Sequence, residues 1–425
     1  MQSDESIRNL LIYSIIYLFY YISIGDCMRI LIFSEIFPPY VSGVASYVDV
    51  LKKELTALSH EVLVVTASPN IKEVFYSQME YNIYCPAKKT DNKYGFECKD
   101  IKNPNLIALL SDFKPDVVHI HTDTKIGYLG LTVADKCSVP VVFTIHDYFM
   151  DRYAANSSRM IWNLKTIREK RHFCDMLDNA DVVTSSCSRA AIFVQKADRR
   201  RRILVVHSHT DTDKFDYHNT SPAAVKKMRE KLGLSTNGTV ALFAGKLTIE
   251  KNLEFVLTAF AKYISPADNI QLLLVGDGTE TDYLHRLCRT LKIDDRVFFT
   301  GAVANSIMPS IYSSCDIYVC SSEDSLMSMS FVEAMSCGLP VLVKEDKEKI
   351  VHKTIINGTN GFVYTKKAEF AQYLKRMSEL SEEQRLRIRE GVRRSLIAME
   401  EDNMAQQYLK VYHIAIKKYR SKIYK

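Results

Sequence analysis

The cysteine and glycine patterns that define several common protein classes are missing from this sequence. Its ten cysteines are scattered along 425 residues without a Cys-x-x-Cys pair, so neither a zinc ribbon nor a disulfide framework is indicated. No Gly-x-Gly-x-x-Gly fingerprint occurs, which argues against a nicotinamide site. Internal repeats and low-complexity segments are absent too. The scattered cysteines fit a reducing compartment best.

A strong net charge is also lacking. The formal net charge is +6 at pH 7, with 47% hydrophobic and 25% charged residues. These values are ordinary for a soluble globular protein and argue against extensive disorder. So small a positive excess does not indicate nucleic acid as a partner. The length fits two domains of about 100–200 residues each.

No apolar run is long enough for a standard membrane span, although a short one opens the chain. Residues 10–24 read LLIYSIIYLFYYISI, whereas a spanning helix needs about 20 apolar residues. There is little of the small-residue cleavage site of a signal peptide. Three interpretations stay open: an interfacial anchor, a marginal span, or an extension before the true start at Met28. The last is favoured, because Met28 and Arg29 lead directly into an apolar strand.

Short apolar runs alternate with amphipathic stretches from Met28 onward. Strands this apolar, separated by helices, indicate parallel sheets covered on both faces. The first predicted set of strands is 30–33, 62–65, 117–120, 141–143 and 182–184, with a helix over 44–58. The second set is 240–243, 272–275, 297–299, 317–319 and 341–343. The pattern therefore predicts two doubly wound, Rossmann-like α/β domains.

The domain boundaries follow from these sets. Residues 28–215 form the predicted first domain, 216–390 the second, and 391–425 terminal helices with a basic tail; residues 1–27 are an extension or anchor. Residues 216–238 are polar and predict a linker with a short helix. Open parallel sheets bind ligands at the carboxyl ends of their strands. The cleft between the two sheets is therefore the predicted site.

Two lysines follow the first strand of the second domain, in the segment GKLTIEKN (residues 245–252). The ammonium groups of Lys246 and Lys251 can both reach an anion at the mouth of this strand. A diphosphate leaving group needs such cations, because negative charge builds on it as the bond to it breaks. Spacing alone favours a plainer alternative, a solvated turn in which Lys251 pairs with Glu250.

Two further loops end strands of the second domain. Gly276 and Gly278 allow a tight turn and close backbone approach to a ligand, although an ordinary turn is the simpler interpretation. Residues 321–340, SSEDSLMSMSFVEAMSCGLP, predict a polar loop and a short helix whose N–H groups can face phosphates. Glu333, predicted in its first turn, can accept both hydroxyls of a ribose. Spacing alone favours a capping box with Ser330.

Together these segments resemble the superfamily of retaining glycosyltransferases that use nucleotide sugars and have the GT-B fold, the group 1 type. The likeness covers nearly all of residues 28–380, in MRILIFSEIFPPYVSGVASYV, FTIHDY, AGKLTIEKN, VEAMSCGLPVLV and NGTNGFVY. The segments HTDTKIGYLG, EKNLEFVLTAF, DDRVFFTGAV and SMSFVEAMSCGLPVLVKED look most like the bacterial diacylglycerol glucosyltransferases. Those enzymes move glucose from UDP-glucose to a membrane lipid.

The resemblance implies roles for individual residues. It implies that His146 faces the transferred sugar and that Lys246 and Lys251 hold the donor diphosphate. The implied donor-binding residues are Gly43, Gly245, Gly276, Gly278, Ser325, Ser328, Met329 and Glu333. The implied mechanism retains the anomeric configuration, with the leaving phosphate oxygen helping to deprotonate the acceptor. No cofactor is required, and nothing indicates a metal ion such as Mg²⁺.

Three positions depart from the family pattern. Ser325 stands where the family has a second glutamate, eight positions before Glu333. Lys246 replaces the clamp arginine and loses its bidentate geometry towards phosphate. Residues 207–209, His-Ser-His, replace Pro-Asn-Gly. The first change keeps open a non-catalytic or weakened nucleotide-sugar-binding partner subunit, and a nucleotide-sugar epimerase of the same fold is a second alternative.

The histidines at strand ends have a plainer explanation as satisfied core residues. That explanation is favoured for His119 and is left open for His121. For His146 a place in the site is favoured instead, only because of the resemblance.

Membrane association is suggested by basic segments within residues 159–204, RMIWNLKTIREKRHF and KADRRRRIL. Met160, Ile161, Leu164 and Ile167 have helical spacing among lysines and arginines, and such helices bind anionic lipid surfaces. A basic face packed on the core explains the pattern nearly as well. The sequence thus predicts a cytoplasmic protein, peripheral at the inner face of the membrane. Its predicted partners are a UDP-sugar, a lipid or glycan acceptor and an anionic membrane surface.

Overall fold

The computed structural model builds two α/β domains on two separate sheets. It describes residues 27–40, 42–90, 96–99, 101–146, 164–198, 201–207, 210–322, 328–345, 355–399 and 403–423. The short apolar runs of the sequence become its central strands, because a strand covered on both faces has no solvent-facing side. In the strand Thr239–Ala244, for example, all six residues are buried.

Within the part of the chain that the structure describes, the first sheet has nine strands. They are β1 (Arg29–Ser34), β2 (Glu61–Ser68), β3 (Phe75–Ser77), β4 (Asn82–Lys89), β5 (Phe96–Cys98), β6 (Val117–Ile120), β7 (Val141–Ile145), β8 (Val182–Ser185) and β9 (Ile203–Val205). Their order is β3-β4-β2-β1-β6-β7-β8-β9, with β5 also paired to β4. The two edge strands β3 and β5 are antiparallel to β4. The pairs from β4 through β2, β1, β6, β7 and β8 to β9 are parallel.

Over residues 210–322, 328–345 and 355–399, the second sheet has six strands, all parallel. They are β10 (Thr239–Ala244), β11 (Ile270–Val275), β12 (Val297–Gly301), β13 (Ile317–Cys320), β14 (Val341–Lys344) and β15 (Gly361–Tyr364). Their order is β12-β11-β10-β13-β14-β15. From β10 the chain runs outward to one edge, then returns to β13 and runs to the other. The order therefore reverses between β10 and β13, and such switch points are where open sheets bind ligands.

The α-helices in the described residues are numbered α1 to α13 in chain order. They are α1 (Gly43–Ala57), α2 (Pro104–Asp112), α3 (Lys125–Cys137), α4 (Leu164–Asn179), α5 (Ser188–Ala197), α6 (Pro222–Lys231), α7 (Leu253–Tyr263), α8 (Thr281–Thr290), α9 (Met308–Ser313), α10 (Met329–Ser336), α11 (Lys367–Ser378), α12 (Glu382–Met399) and α13 (Met404–Ile423). Short 3₁₀ helices lie at Tyr217–Asn219, Ile249–Lys251 and Pro266–Asp268.

The last helix, α13, packs on the first sheet rather than on the second, which precedes it in the chain. Its residues Tyr408 and Tyr412 are fully buried in the core that also contains β1, β6 and β7. Tyr408 Oη lies 2.8 Å from Tyr47 Oη and 2.9 Å from Thr144 Oγ1, and Tyr412 Oη lies 2.9 Å from His119 Nδ1. Buried polar groups need such partners, so α13 is an integral layer of the first domain.

All ten strands predicted from apolar runs are present, as are the helix near 44–58 and the short helix within 216–238. Strands β3, β4 and β5 were not predicted, nor were β9 and β15. For strand β3 the reason is exposure: Phe75 is 55% exposed and Tyr76 is 37% exposed, so this segment does not show the apolar signature of a central strand.

The membrane-related segments are only partly described. The apolar run 10–24 lies outside the described residues, as do Met160 and Ile161. In the described part of α4, Phe173, Met176 and Leu177 are buried in the first core, while Lys170 and Arg171 are exposed. This half of the helix fits the core-packing alternative. Among the described residues, no helix is both long and apolar enough to span a membrane.

Candidate active site

The lysine loop that follows β10 is held by close backbone packing against the loop after β11. Gly245 N–H donates to Val275 O at 2.9 Å, and Leu247 N–H donates to Asp277 O at 3.1 Å. A Cβ atom on Gly276 would lie 1.9 Å from Gly245 O, and one on Gly278 would lie 2.3 Å from Leu247 O. Only glycine fits where backbones approach so closely. These glycines therefore fix the course of the lysine loop.

Lys251 lies at the switch point of the second sheet. It ends the 3₁₀ turn after β10, and its carbonyl oxygen accepts a hydrogen bond from Ser321 Oγ of the β13 loop at 2.6 Å. Lys251 is half-buried, whereas Lys246 is exposed. The Lys251 ammonium is close enough to Cys320 to oppose the rise in thiol pKa that burial causes.

Helix α10, which follows β13, begins two residues earlier than the capping-box alternative requires. Its N-cap is Ser328, and Met329 is its first residue. The Ser330 hydroxyl lies 2.9 Å from Tyr318 Oη and does not cap the helix. Glu333 accordingly falls in the second turn rather than the first. The capping-box interpretation and the first-turn placement are both wrong, because the helix starts at the earlier serine.

Glu333 is a buried carboxylate, with 7% of the residue exposed. Tyr312 Oη donates a hydrogen bond to Glu333 Oε2 at 2.9 Å. Burial raises the pKa of Glu333, and the hydrogen bond from Tyr312 and the nearby charge of Lys214 oppose that rise. A buried carboxylate that receives donors is suited to accept further hydrogen bonds from hydroxyl groups.

The first sheet places its candidate residues at its own switch point, between β1 and β6. Gly43 is the first residue of α1 after β1, and Ser42 caps this helix by accepting a hydrogen bond from Ala45 N–H at 3.0 Å. No described atom lies within 4 Å of the position that a Cβ on Gly43 would take. Cα atoms of α1 and α10 come within 8 Å of each other. The carboxyl edges of the two sheets therefore face one another.

Three histidines lie at or near the ends of β6 and β7. His119 is fully buried, and both its ring nitrogens have partners, Tyr412 Oη at 2.9 Å and Thr144 Oγ1 at 2.7 Å. The core interpretation of His119 is confirmed. His146 follows β7 and is half-buried, with its Nε2 atom 2.8 Å from His121 Nδ1. Burial lowers the pKa of both His119 and His121 well below the ordinary value.

Sequence reasoning missed one buried carboxyl group, Glu35, directly after β1. It is fully buried; Oε1 accepts from Cys98 N–H and Oε2 from Thr124 Oγ1, both at 2.5 Å. Burial raises its pKa to about 7. Glu35 therefore joins β5 to the residue that precedes α3, at the end of β1. Its only signal in the sequence is a carboxylate inside an otherwise apolar segment.

Of the predicted site residues, Ser325 lies outside the described residues. The others occupy loops or helix starts at the two facing edges: Gly245, Lys246 and Lys251 after β10, Gly276 and Gly278 after β11, Ser328, Met329 and Glu333 after β13, Gly43 after β1 and His146 after β7. No group of three or more potential metal ligands occurs among the residues that the structure describes.

Comparison with known proteins gives the same two-part division. Residues 41–227 match Glycosyltransferase Family 4 and residues 224–395 match Glycosyl transferases group 1, which together span most of the chain. Alpha-monoglucosyldiacylglycerol synthase of Acholeplasma laidlawii is 27% identical over 361 residues, covering 82% of this chain and 87% of that protein. The synthase of the same name from Streptococcus pneumoniae is 25% identical, covering 74% and 70%.

Solved structures support the fold. Anabaena HepE in complex with UDP-glucose superposes with a TM-score of 0.65 at 20% identity, over 90% of this chain and 99% of that one. Sucrose-phosphate synthase from Thermosynechococcus elongatus superposes with a TM-score of 0.70 at 18% identity, over 91% and 98%. The arrangement of two facing sheets is therefore that of these proteins.

Proposed function

Because the chain belongs to the group 1 glycosyltransferases with the GT-B fold, we propose that it transfers glucose from UDP-glucose to a diacylglycerol-like lipid. One observation carries the proposal. At the switch point of the second sheet, the lysine loop after β10 lies beside the end of β13, and the helix α10 that follows β13 contains the buried Glu333. Two relatives that span most of the chain are named as monoglucosyldiacylglycerol synthases. Solved structures of the same fold contain UDP and UDP-glucose.

In this proposal the nucleotide binds against the second domain. Lys246, Lys251 and the N–H groups at the start of α10 hold the diphosphate, because cations and a helix N-terminus both stabilise phosphate charge. Glu333 accepts hydrogen bonds from the ribose hydroxyls. Gly276 and Gly278 keep the backbone close to the nucleotide, and Ser328 and Met329 begin the helix that faces it.

The first domain supplies the acceptor side. His146 faces the transferred sugar, and Gly43 leaves room for donor phosphate or acceptor at the start of α1. The acceptor oxygen bonds to the anomeric carbon as the bond from that carbon to the β-phosphate oxygen breaks. The acceptor proton passes to the leaving phosphate oxygen on the same face, which retains the anomeric configuration. The protein's work is positioning and electrostatic stabilisation of UDP.

The acceptor implies that the enzyme works at a membrane surface, peripheral at its cytoplasmic face. Exposed Lys170 and Arg171 on α4 belong to the basic segment predicted to meet anionic lipid. Each cation near such a surface contributes about 1 kcal/mol. Arg201, in the second basic segment, instead bonds to Asp178 at 2.8 Å within the first domain.

UDP release from UDP-glucose tests the proposed reaction. Release is expected with vesicles that contain diacylglycerol and anionic lipid, together with a glucolipid product, and is expected to be slow without them. Conversion of the UDP-sugar without any acceptor would instead identify an epimerase. Measurable UDP binding with no turnover in either condition would identify a nucleotide-sugar-binding partner subunit, as the substitution at Ser325 allows.

The role of Glu333 is tested by comparing UDP with 2′-deoxy-UDP in calorimetric titrations. The parent protein is expected to bind UDP at least about tenfold more tightly, because a hydrogen bond to a charged group is lost with the hydroxyl. Glu333→Gln should reduce this preference to less than about threefold, and the exposed Glu379→Gln should leave it unchanged. An equal preference for UDP over 2′-deoxy-UDP in the parent and in Glu333→Gln would show that Glu333 does not bind the ribose.

A further inference from the structure

His121 forms a hydrogen-bonded pair with His146 at the carboxyl edge of the first sheet. His121 Nδ1 lies 2.8 Å from His146 Nε2, and the two rings are stacked with centroids 5.1 Å apart. His121 is itself 2% exposed, and its backbone N–H is fixed by Phe33 O at 2.9 Å. The pair therefore joins a buried ring to a half-buried ring at the carboxyl end of β7.

The surroundings of His121 leave its other ring nitrogen without a partner. Its Nε2 atom is buried and makes no hydrogen bond to any described residue. Two rings that contact His121 have their polar atoms engaged elsewhere. Tyr47 Oη is bonded to Val206 O and Tyr408 Oη, and His119 to Tyr412 and Thr144. Tyr47 packs edge-on against His146 at 4.8 Å and tilted against His121 at 5.9 Å. Neither ring can turn without disturbing this packing.

The unpartnered Nε2 atom decides which nitrogen carries the proton. A neutral imidazole has one N–H donor and one acceptor nitrogen. A buried N–H without an acceptor is among the rarest defects in folded proteins, whereas an unpaired lone pair is better tolerated. The His121 proton therefore belongs on Nδ1, from which it is donated to His146 Nε2. His146 must then carry its own proton on Nδ1.

We propose that His121 is a positioning residue that holds His146 in the tautomer with a protonated Nδ1, so that His146 donates a hydrogen bond to an oxygen of the transferred sugar. The hydrogen bond to the sugar rests on the proposed function, whereas the tautomer of His146 follows from the contacts of His121 alone. If a proton were placed on His146 Nε2, the hydrogen bond would reverse and the His121 proton would move to the buried Nε2 atom. His146 is thus a donor and not the base that removes the acceptor proton.

The tautomer can be measured without any substrate. In protein labelled with ¹⁵N-histidine, the His146 signals, assigned by their loss in His146→Asn, are expected to show a protonated Nδ1 and a bare Nε2 at pH 7. In His121→Leu the signals are expected to show a mixture of both tautomers. A protonated Nε2 in the parent protein would overturn the inference, whatever the activity of the enzyme.

Kinetics separate positioning from general structural damage. His121→Leu is expected to lower kcat on the order of 100-fold, as misplacement of a catalytic group does, and to leave the Kd for UDP within about twofold, because His146 is assigned to the sugar. His121→Asn, whose amide N–H₂ can replace Nδ1–H as donor, should recover most of the loss. In a His146→Ala background, His121→Leu should add less than about twofold.

The outcomes are distinct. Loss of UDP affinity in His121→Leu, or failure of His121→Asn to recover kcat, would assign His121 a packing role and overturn the inference. An inactive parent protein whose His146 tautomer is as expected would refute the proposed function and leave the positioning role intact.

Discussion

Lys251→Ala is expected to lower kcat by a factor on the order of 100 to 1,000, the usual cost of removing one group that stabilises developing negative charge. Lys251 is half-buried beside the end of β13, and its backbone is held by Ser321. A half-buried lysine is partly withdrawn from water, so its interaction with a diphosphate is less screened than that of a fully exposed one. Turnover of UDP-glucose with lipid vesicles is the measurement.

The matched control for this substitution is Lys262→Ala, which removes an exposed lysine at the opposite end of α7. It changes the net charge by the same amount and should leave kcat within about twofold, since exposed charges far from a site are screened by salt. Near-normal turnover in Lys251→Ala would remove this lysine from the diphosphate clamp.

Arg229→Ala is expected to lower the free energy of unfolding by about 3–5 kcal/mol, the usual cost of removing one partner of a buried ion pair. Arg229 Nη2 lies 2.8 Å from Asp316 Oδ2, and the same guanidinium donates to Ser314 O and Gly238 O, each at 2.8 Å. The substitution therefore leaves two carbonyl groups without this donor and removes one of the two arginines that pair with Asp316. Urea denaturation followed by circular dichroism measures the loss.

Lys227→Ala, an exposed position on the same helix, is the control and should change the free energy of unfolding by less than about 0.5 kcal/mol. The Arg229 cluster joins the amino ends of β10 and β13, the edge of the second sheet opposite the candidate site. UDP binding by folded Arg229→Ala protein should therefore match the parent. A loss below about 1 kcal/mol would show that Arg385, at 3.1 Å from Asp316, compensates for the missing arginine.

The sequence was sufficient to predict the fold class because its central strands are apolar throughout. β1, β6, β7, β10 and β11 all follow from this one property, and with them the carboxyl edges where the candidate residues lie. The small edge strands could not be predicted in this way. They are stabilised by pairing with β4 and by neighbours such as Glu35, and pairing partners far apart in the chain leave no periodic signal.

The site was predictable one loop at a time, but not as a set of contacts. The lysine loop and α10 were found from local patterns. The N-cap of α10 was not, because Ser328 and Ser330 are both suitable caps and only the structure shows that the helix begins after Ser328. Spacing alone gave no role to His121, because its partner His146 is 25 positions away and its orphaned Nε2 atom is a property of the packed core. The burial of Glu333 and its hydrogen bond from Tyr312 of α9 could likewise be found only in the structure.

The return of α13 to the first sheet has a consequence for biosynthesis. The core of the second domain contains residues from Phe215 to Leu396, while that of the first contains Met28 to Val206 together with Met404 to Ala415. Domains of a nascent chain generally fold as units, beginning with the N-terminal one. Here the first domain lacks its last layer until α13 has been synthesised. Until then, His119 and Thr144 lack the tyrosine hydroxyls with which they form hydrogen bonds. We expect a chaperone to bind the incomplete first domain at this stage.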